Sequence, residues 1–204
     1  MSNNTTKIAV FDFDGTIYKG DATKDFCWYF YQKKPLRSYY LLIQLTYWLL
    51  WRLKLLTTTQ FKSIFIQFLN RVEDEQITGL LSSFWEEKKS LVHANLVHEV
   101  SRLKKEGAHV VVVSASPELF IKHFCLSLGV DTVLGSELKV LNNKYSLLIN
   151  CRGEEKLKRI KRAFSDFEII AAYSDNKDDD VLLKMAKNGY WVDKKGRLVP
   201  FLQK

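Results

Sequence analysis

Residues 7–16 read KIAVFDFDGT. The first five, Lys7 to Phe11, are apolar on both faces and β-branched at two positions, which suits a strand buried in a parallel sheet. Asp12 and Asp14 follow at once. Two residues apart in extended chain, they point the same way. Past a strand's carboxyl end they stand in the crevice where open α/β sheets bind ligands. Two carboxylates there are costly unless a cation or a proton is shared. Gly15 permits a close approach of backbone.

Working outward, AHVVVV (108–113), EIIAAY (168–173) and GYWV (189–192) repeat the strand texture. Helical patterns over 117–128, 154–164 and 178–187 lie between them, and Ser116-Pro117 reads as an N-cap followed by proline at the first helical position. This alternation predicts an α/β fold, a doubly wound, Rossmann-like parallel sheet. LKVLNNKYSLLI (138–149) interrupts it and reads as a hairpin turning at Asn142-Asn143. Residues 22–102 are helical throughout and rich in aromatics. They read as a helical cap inserted between the first and second strands, with 1–21 and 103–204 forming the sheet domain.

The 204 residues are 47% hydrophobic, enough for one core plus an insertion. A net charge of +8 favours anionic partners, or is simply a lysine-rich solvated surface. No RNA-recognition signature or GXXG loop is present, so nucleic acid is not an expected partner. Cys27, Cys125 and Cys151 form no C-x-x-C pair, which fits a reducing, cytoplasmic compartment. The opening MSNNTTKIAVFDFDG has no secretory-signal pattern.

Three further segments carry chemistry. VVVVSAS places Ser114 at a strand end before a helix N-terminus, a phosphate cradle or a simple turn. GEEKLKRI puts Lys156 in a first helical turn, a phosphate ligand or a solvated charge. YSDNKDDDVLL offers Asp175, Asp178, Asp179 and Asp180 at a strand's carboxyl end, an oxygen-rich Mg²⁺ site or a capping cluster.

In this order, DFDGT, SAS, Lys156 and SDNKDD resemble the four motifs of the haloacid dehalogenase superfamily of phosphatases. SASPELFIKHFCLSLGVD and NCRGEEKLKRI look like subfamily IB, whose helical C1 cap lies between motifs one and two, as in phosphoserine phosphatase. YSDNKDDDVLL, WVDKKGRL and the apolar cap look closest to the phosphatidylglycerophosphatase C type. The resemblance implies that Asp12 is the nucleophile and forms an aspartyl-phosphate, and that Asp14 serves as general acid and base. It implies Mg²⁺ between the Asp12 carboxylate, the Asp14 main-chain carbonyl and Asp175, with Asp179 as the second acidic position and Asp178 its rival. Ser114 and Lys156 hold phosphate oxygens, with Thr16 and Asn176 as secondary contacts. Ser174 stands where many relatives have glycine. Asp14 also argues against halide cleavage, since a halide leaves without a proton.

Three functions compete: a phosphatase of a membrane lipid phosphate such as phosphatidylglycerophosphate, a phosphatase of a small soluble metabolite, and a catalytically silent binding module. Phosphoserine phosphatase-like enzymes carry a glutamate nine residues after the nucleophile; here that position is Asp21. SYYLLIQLTYWLLW (38–51) bears on the choice. It is uncharged, flanked by Lys33, Lys34, Arg37, Arg52 and Lys54, and short for a span: about 21 Å as a helix against a ~30 Å hydrocarbon core. It reads as cap core packed on Phe61, Phe65, Phe68 and Trp85, as a helix dipping into the inner leaflet of an anionic membrane, or as a dimer interface. Lipid chemistry favours the second and a peripheral or monotopic protein on the cytoplasmic face.

Overall fold

A computed structural model describes residues 5–202; the first four residues of the opening read for a signal lie outside them. Seven strands form one sheet in the order β4-β3-β2-β1-β5-β6-β7. Strand β1 (Thr6–Phe11) lies centrally and pairs in parallel with β2 (His109–Pro117) and β5 (Phe167–Ser174). Strands β3 (Thr132–Leu141) and β6 (Asn188–Val192) extend the parallel set. Strands β4 (Lys144–Ile149) and β7 (Leu198–Pro200) close the edges antiparallel. The β3–β4 turn is at Asn142-Asn143, both with positive φ (50° and 55°), as a two-residue primed hairpin turn requires.

Alternation along the central strands divides the core. Ala9, Phe11, Val110 and Val112 face one way, Ile8, Val10, Val111 and Val113 the other. The second face is covered by α7 (Glu154–Ala163) and α8 (Asp180–Met185), through Ile160, Leu182 and Leu183. On the first face lie α5 (Ala94–Lys105) and α6 (Glu118–Ser127), together with α1 (Ala22–Lys33) and α4 (Asp74–Lys88). Phe26 of α1 meets both Phe84 of α4 and Phe120 of α6, and Trp85 stacks on Phe124 at 4.2 Å. The boundary expected at 102/103 falls inside α5. That helix packs on β2, and its Glu99 accepts from the Tyr173 hydroxyl of β5 at 2.8 Å.

Helices α2 (Tyr39–Arg52) and α3 (Thr58–Phe65) lie further out. A capping box of Thr57 and Gln60 starts α3. Only Gln44 of α2 is buried, 6% exposed, and its amide donates to the Phe65 carbonyl at 2.8 Å. Leu42, Leu45 and Leu49 are 70%, 61% and 52% exposed. The stretch is therefore not cap core: Trp51 does stack on Phe61, but Trp85 belongs to the α4–α6 contact. No helix among the described residues is long and apolar enough to cross a membrane. Ser116 does not act as the helix cap expected of it. It lies within β2, next to the strand's last residue, and α6 has Pro117 as its N-cap residue without a side-chain cap bond.

Candidate active site

The candidate residues lie at the carboxyl ends of β1, β2 and β5 and the first turn of α7. Asp12 continues β1, its N–H donating to the Tyr173 carbonyl at 2.9 Å. Its Oδ1 accepts from the Phe13 N–H and faces Lys156 Nζ, both at 2.8 Å, which leaves Oδ2 outside these contacts. Lys156 Nζ also donates to Asp179 Oδ2 at 2.7 Å. Both acids and the lysine are buried. Burial lifts the Asp12 carboxyl to about 7 against the pull of Lys156, and the Asp179 charge adds to the rise. Burial opposes the Lys156 charge, but the two aspartates outweigh it and hold its pKa above the ordinary lysine range.

Of the two rivals in the acidic loop, Asp179 is drawn inward and Asp178 pairs with Arg152 near the surface at 2.6 Å. Ser174 donates to Asp179 Oδ2 at 2.6 Å and accepts from the Asn176 N–H at 3.0 Å. The serine in the usual glycine position thus fixes the acidic loop. Asp179 Oδ1 is buried without a hydrogen-bond partner. Asn176 lines the cavity and accepts from the Asp178 N–H.

Asp14 sits beyond the β1 end. Its Oδ2 accepts from Ser114 Oγ at 3.1 Å and Ser116 Oγ at 2.6 Å, its Oδ1 from the N–H of Ala22, the first residue of α1, at 2.7 Å. Burial, with the charge of Asp21, lifts its pKa to about 6, while the three hydrogen bonds oppose the rise. Ser116 lines the cavity; Ser114 is fully buried beside Asp14. Asp21 itself caps α1, accepting from the Lys24 N–H at 3.0 Å and pairing with Lys24 Nζ at 2.8 Å.

Thr16 is also fully buried. Its hydroxyl donates to Asp175 Oδ1 at 3.2 Å and accepts from the Asp175 N–H at 3.1 Å, so it positions that aspartate and is not at the cavity wall. Gly15 has φ +76°, and a Cβ built there would stand 2.1 Å from Asp175 Oδ2. The carboxylate of Asp175 therefore lies directly on the Asp14–Gly15 main chain. Among the described residues no group of three or more His, Cys, Asp or Glu side chains could hold a metal ion. A set of two carboxylates and one main-chain carbonyl does not require such a group. Its all-oxygen character, with room for water and substrate oxygens, suits Mg²⁺.

Asp12, Asp14, Ser116, Lys156, Asn176 and Asp179 border a cavity of about 590 Å³, with Asp175, Ser114 and Thr16 behind its wall. Its outer wall is aromatic: Trp48 and Trp51 of α2, Phe61 and Phe65 of α3. Lys62 and Arg152 also line it. No sequence signal marked Lys62, a lysine on an amphipathic helix. The Ser114–Asp14–Ser116 bridge is a contact between distant segments that spacing alone does not reveal.

A haloacid dehalogenase-like hydrolase family model matches residues 9–184. Protein CicA of Caulobacter vibrioides is 32% identical over 133 residues, 62% of this chain and 60% of CicA, so the match leaves two fifths of that relative uncovered. Among solved structures, a Bordetella pertussis protein of unknown function superposes with TM-score 0.76 at 16% identity, covering 92% of this chain and 90% of that one. A phosphoserine phosphohydrolase-like protein of Francisella tularensis gives 0.62 at 17% over 91% and 87% of the two chains. A phosphoserine phosphatase in a phospho-aspartyl intermediate analogue form gives 0.55 at 18% over 92% and 87%. At these identities the likeness is one of fold.

Proposed function

Since the chain belongs to the haloacid dehalogenase-like hydrolases, we propose that it is a Mg²⁺-dependent phosphomonoesterase acting through an aspartyl-phosphate, and that its substrate is a membrane lipid phosphate. Within that family the reading follows subfamily IB, the helical C1 cap and the phosphatidylglycerophosphatase C type. The observation that carries the chemistry is the buried Asp12–Lys156–Asp179 group beside Asp14, at strand ends bordering one cavity.

In this reading Asp12 Oδ2 attacks phosphorus. The bond to the ester oxygen breaks as the Asp12–phosphorus bond forms, and Asp14 gives its proton to the departing alkoxide. A carboxyl raised to about 6 keeps a minor protonated fraction near neutral pH, so it can give a proton in one step and take one back in the next. Water then attacks the aspartyl-phosphate, Asp14 takes a proton from it, and Asp12 is released with inorganic phosphate. Lys156 sets positive charge against the phosphate oxygens, and Ser116 at the cavity wall would turn its hydroxyl from Asp14 toward them, while Ser114 behind it holds Asp14. Asp12, the Asp14 carbonyl and Asp175 would hold Mg²⁺, which supplies charge neutralisation between the nucleophile and the phosphoryl oxygens.

The lipid reading rests on α2. Trp48 and Trp51 line the cavity, while Leu42, Leu45 and Leu49 of the same helix face water. Arg37 and Arg52 bracket it. An apolar, basic-flanked helix at the cavity mouth suits a cytoplasmic protein that meets an anionic bilayer at headgroup level. A soluble aminated substrate is less well served, because Asp21 is already engaged by the α1 cap and Lys24.

The test is Mg²⁺-dependent phosphate release from phosphatidylglycerophosphate and phosphatidate in vesicles and from soluble phosphomonoesters, with Asp12→Asn as control. Asp12→Asn should lose at least ~10³-fold. Faster turnover of soluble monoesters than of either lipid would refute the lipid reading. A control that retains activity would refute the nucleophile.

A further inference from the structure

Lys62 is a cation with no ion-pair partner among the described residues. Its ammonium donates to the Ala115 carbonyl at 3.1 Å and to Asn150 Oδ1 at 3.0 Å, both neutral acceptors. An ammonium has three protons to donate, and these two bonds leave one. Burial, then the neighbouring Arg152 charge, pushes its pKa down; Asp21 and Asp14 pull it back only in part. A half-buried cation beside another cation is unfavourable unless an anion joins it. Arg152 is itself incompletely used, since only its Nε is engaged by Asp178 and a guanidinium has five N–H donors. Both side chains line the same cavity as Asp12 and Lys156.

Position decides which anion. The transferred phosphoryl group already has Lys156 and the Ser114–Ser116 strand end. Lys62 is anchored on Ala115, between those serines, but it arrives from α3, next to Phe61 and Phe65 on the aromatic wall. It therefore stands between the phosphoryl site and the apolar mouth. We propose that Lys62 and Arg152 form a second anion subsite, which takes a phosphodiester lying between the scissile phosphomonoester and the apolar part of the substrate. The inference rests on the phosphatase reading and narrows it: a lipid with one phosphate only would leave this subsite empty.

The experiment uses a soluble pair, so that membrane binding does not enter: glycerol 3-phosphate, with one phosphate, and glycerophosphoglycerol 3-phosphate, which adds the diester. Phosphate release gives kcat/KM for wild type, Lys62→Met, Lys62→Arg and Arg152→Gln. Wild type should prefer the diester-bearing ester. Lys62→Met should cut that preference roughly tenfold or more, as loss of a charge-assisted contact does, and Lys62→Arg should keep most of it. Arg152→Gln should reduce it in the same direction. Lys62→Met should also melt no lower than wild type, because it removes an uncompensated charge. Equal losses on both substrates, or an unchanged preference, would overturn the subsite. Wild-type protein that hydrolyses neither ester, nor any other phosphomonoester, would instead overturn the phosphatase reading on which it stands.

Discussion

Asp14→Asn should make the metal-free protein more stable at neutral pH, although Asp14 is proposed as the acid of catalysis. Its carboxyl moves from an ordinary 3.8 to about 6 on folding, chiefly through burial. The folded state therefore binds the proton more tightly than the unfolded chain. Stability from this group is fully present below about pH 4 and is lost as pH rises through about 6. At ~1.4 kcal/mol per pKa unit, keeping the carboxylate ionised costs the native state up to about 3 kcal/mol at pH 7. Asparagine can still accept from the Ala22 N–H through Oδ1, and its amide can donate to the Ser114 and Ser116 hydroxyls, which rotate to suit. A net gain of about 1 to 3 kcal/mol corresponds to roughly 3–10 °C in Tm for a chain of this size. The assay is thermal unfolding in EDTA from pH 4.5 to 7.5, with activity measured in parallel. The gain should be largest at pH 7.5 and shrink toward pH 4.5, while turnover collapses. A variant less stable than wild type at pH 7.5, or a difference that ignores pH, would refute the electrostatic account of this site.

Lys156→Met should destabilise the protein by roughly 3–5 kcal/mol at pH 7, because it leaves buried Asp12 and Asp179 without their cation; an unchanged denaturation midpoint would contradict this. Gly15→Ala puts a methyl at the Asp175 carboxylate and costs about 1 kcal/mol for a side chain at positive φ. The Mg²⁺ concentration for half-maximal activity should rise severalfold, and an unaltered Mg²⁺ titration would remove Asp175 from the metal site. Asp179→Asn should lower both Tm and kcat, whereas Asp178→Asn, near the surface, should change stability by no more than about 0.5 kcal/mol. Equal effects of the two would mean that the acidic loop has been misassigned.

The sheet was legible because buried parallel strands must be apolar on both faces, and few other segments of this chain are. The hairpin was legible because two asparagines tolerate the positive φ that its turn demands. At the site, Asp12, Asp14, Lys156 and the acidic loop stand together where motif order implied. Less legible was everything that depends on contacts between distant segments. Ser116 looks like a helix cap until Asp14 is placed beside it. Thr16 looks like a phosphate contact until Asp175 turns out to use both its donor and its acceptor. The 38–51 stretch was ambiguous for a physical reason: helical core and an exposed apolar helix can have the same composition, and only the neighbours decide. Here one side of α2 meets α3 through Trp51 and Gln44, and its leucines at 42, 45 and 49 meet no such partner.

That arrangement separates two tasks. Every group proposed for the chemistry comes from a strand end or from α7, held by buried hydrogen bonds and ion pairs to neighbouring core segments. The groups that would tell one substrate from another come mostly from α2 and α3: the aromatic wall and Lys62. This outer pair is attached to the rest by the Gln44 amide on Cys27, the edge contact of Phe65 with Phe68, the Lys62 ammonium and the Ser63 hydroxyl, which accepts from the Leu147 N–H of β4 at 3.1 Å. Rigid elements preserve catalytic geometry, whereas selectivity can be altered on a peripheral layer without disturbing the reacting atoms. Changes at the strand ends should therefore lower turnover of all phosphomonoesters by similar factors. Changes in α2 and α3 should reorder substrates and leave the best of them with a comparable kcat. The exposed leucines fit the same division, because a helix that both walls the cavity and faces outward with apolar side chains can bring a bilayer surface to the substrate without moving Asp12.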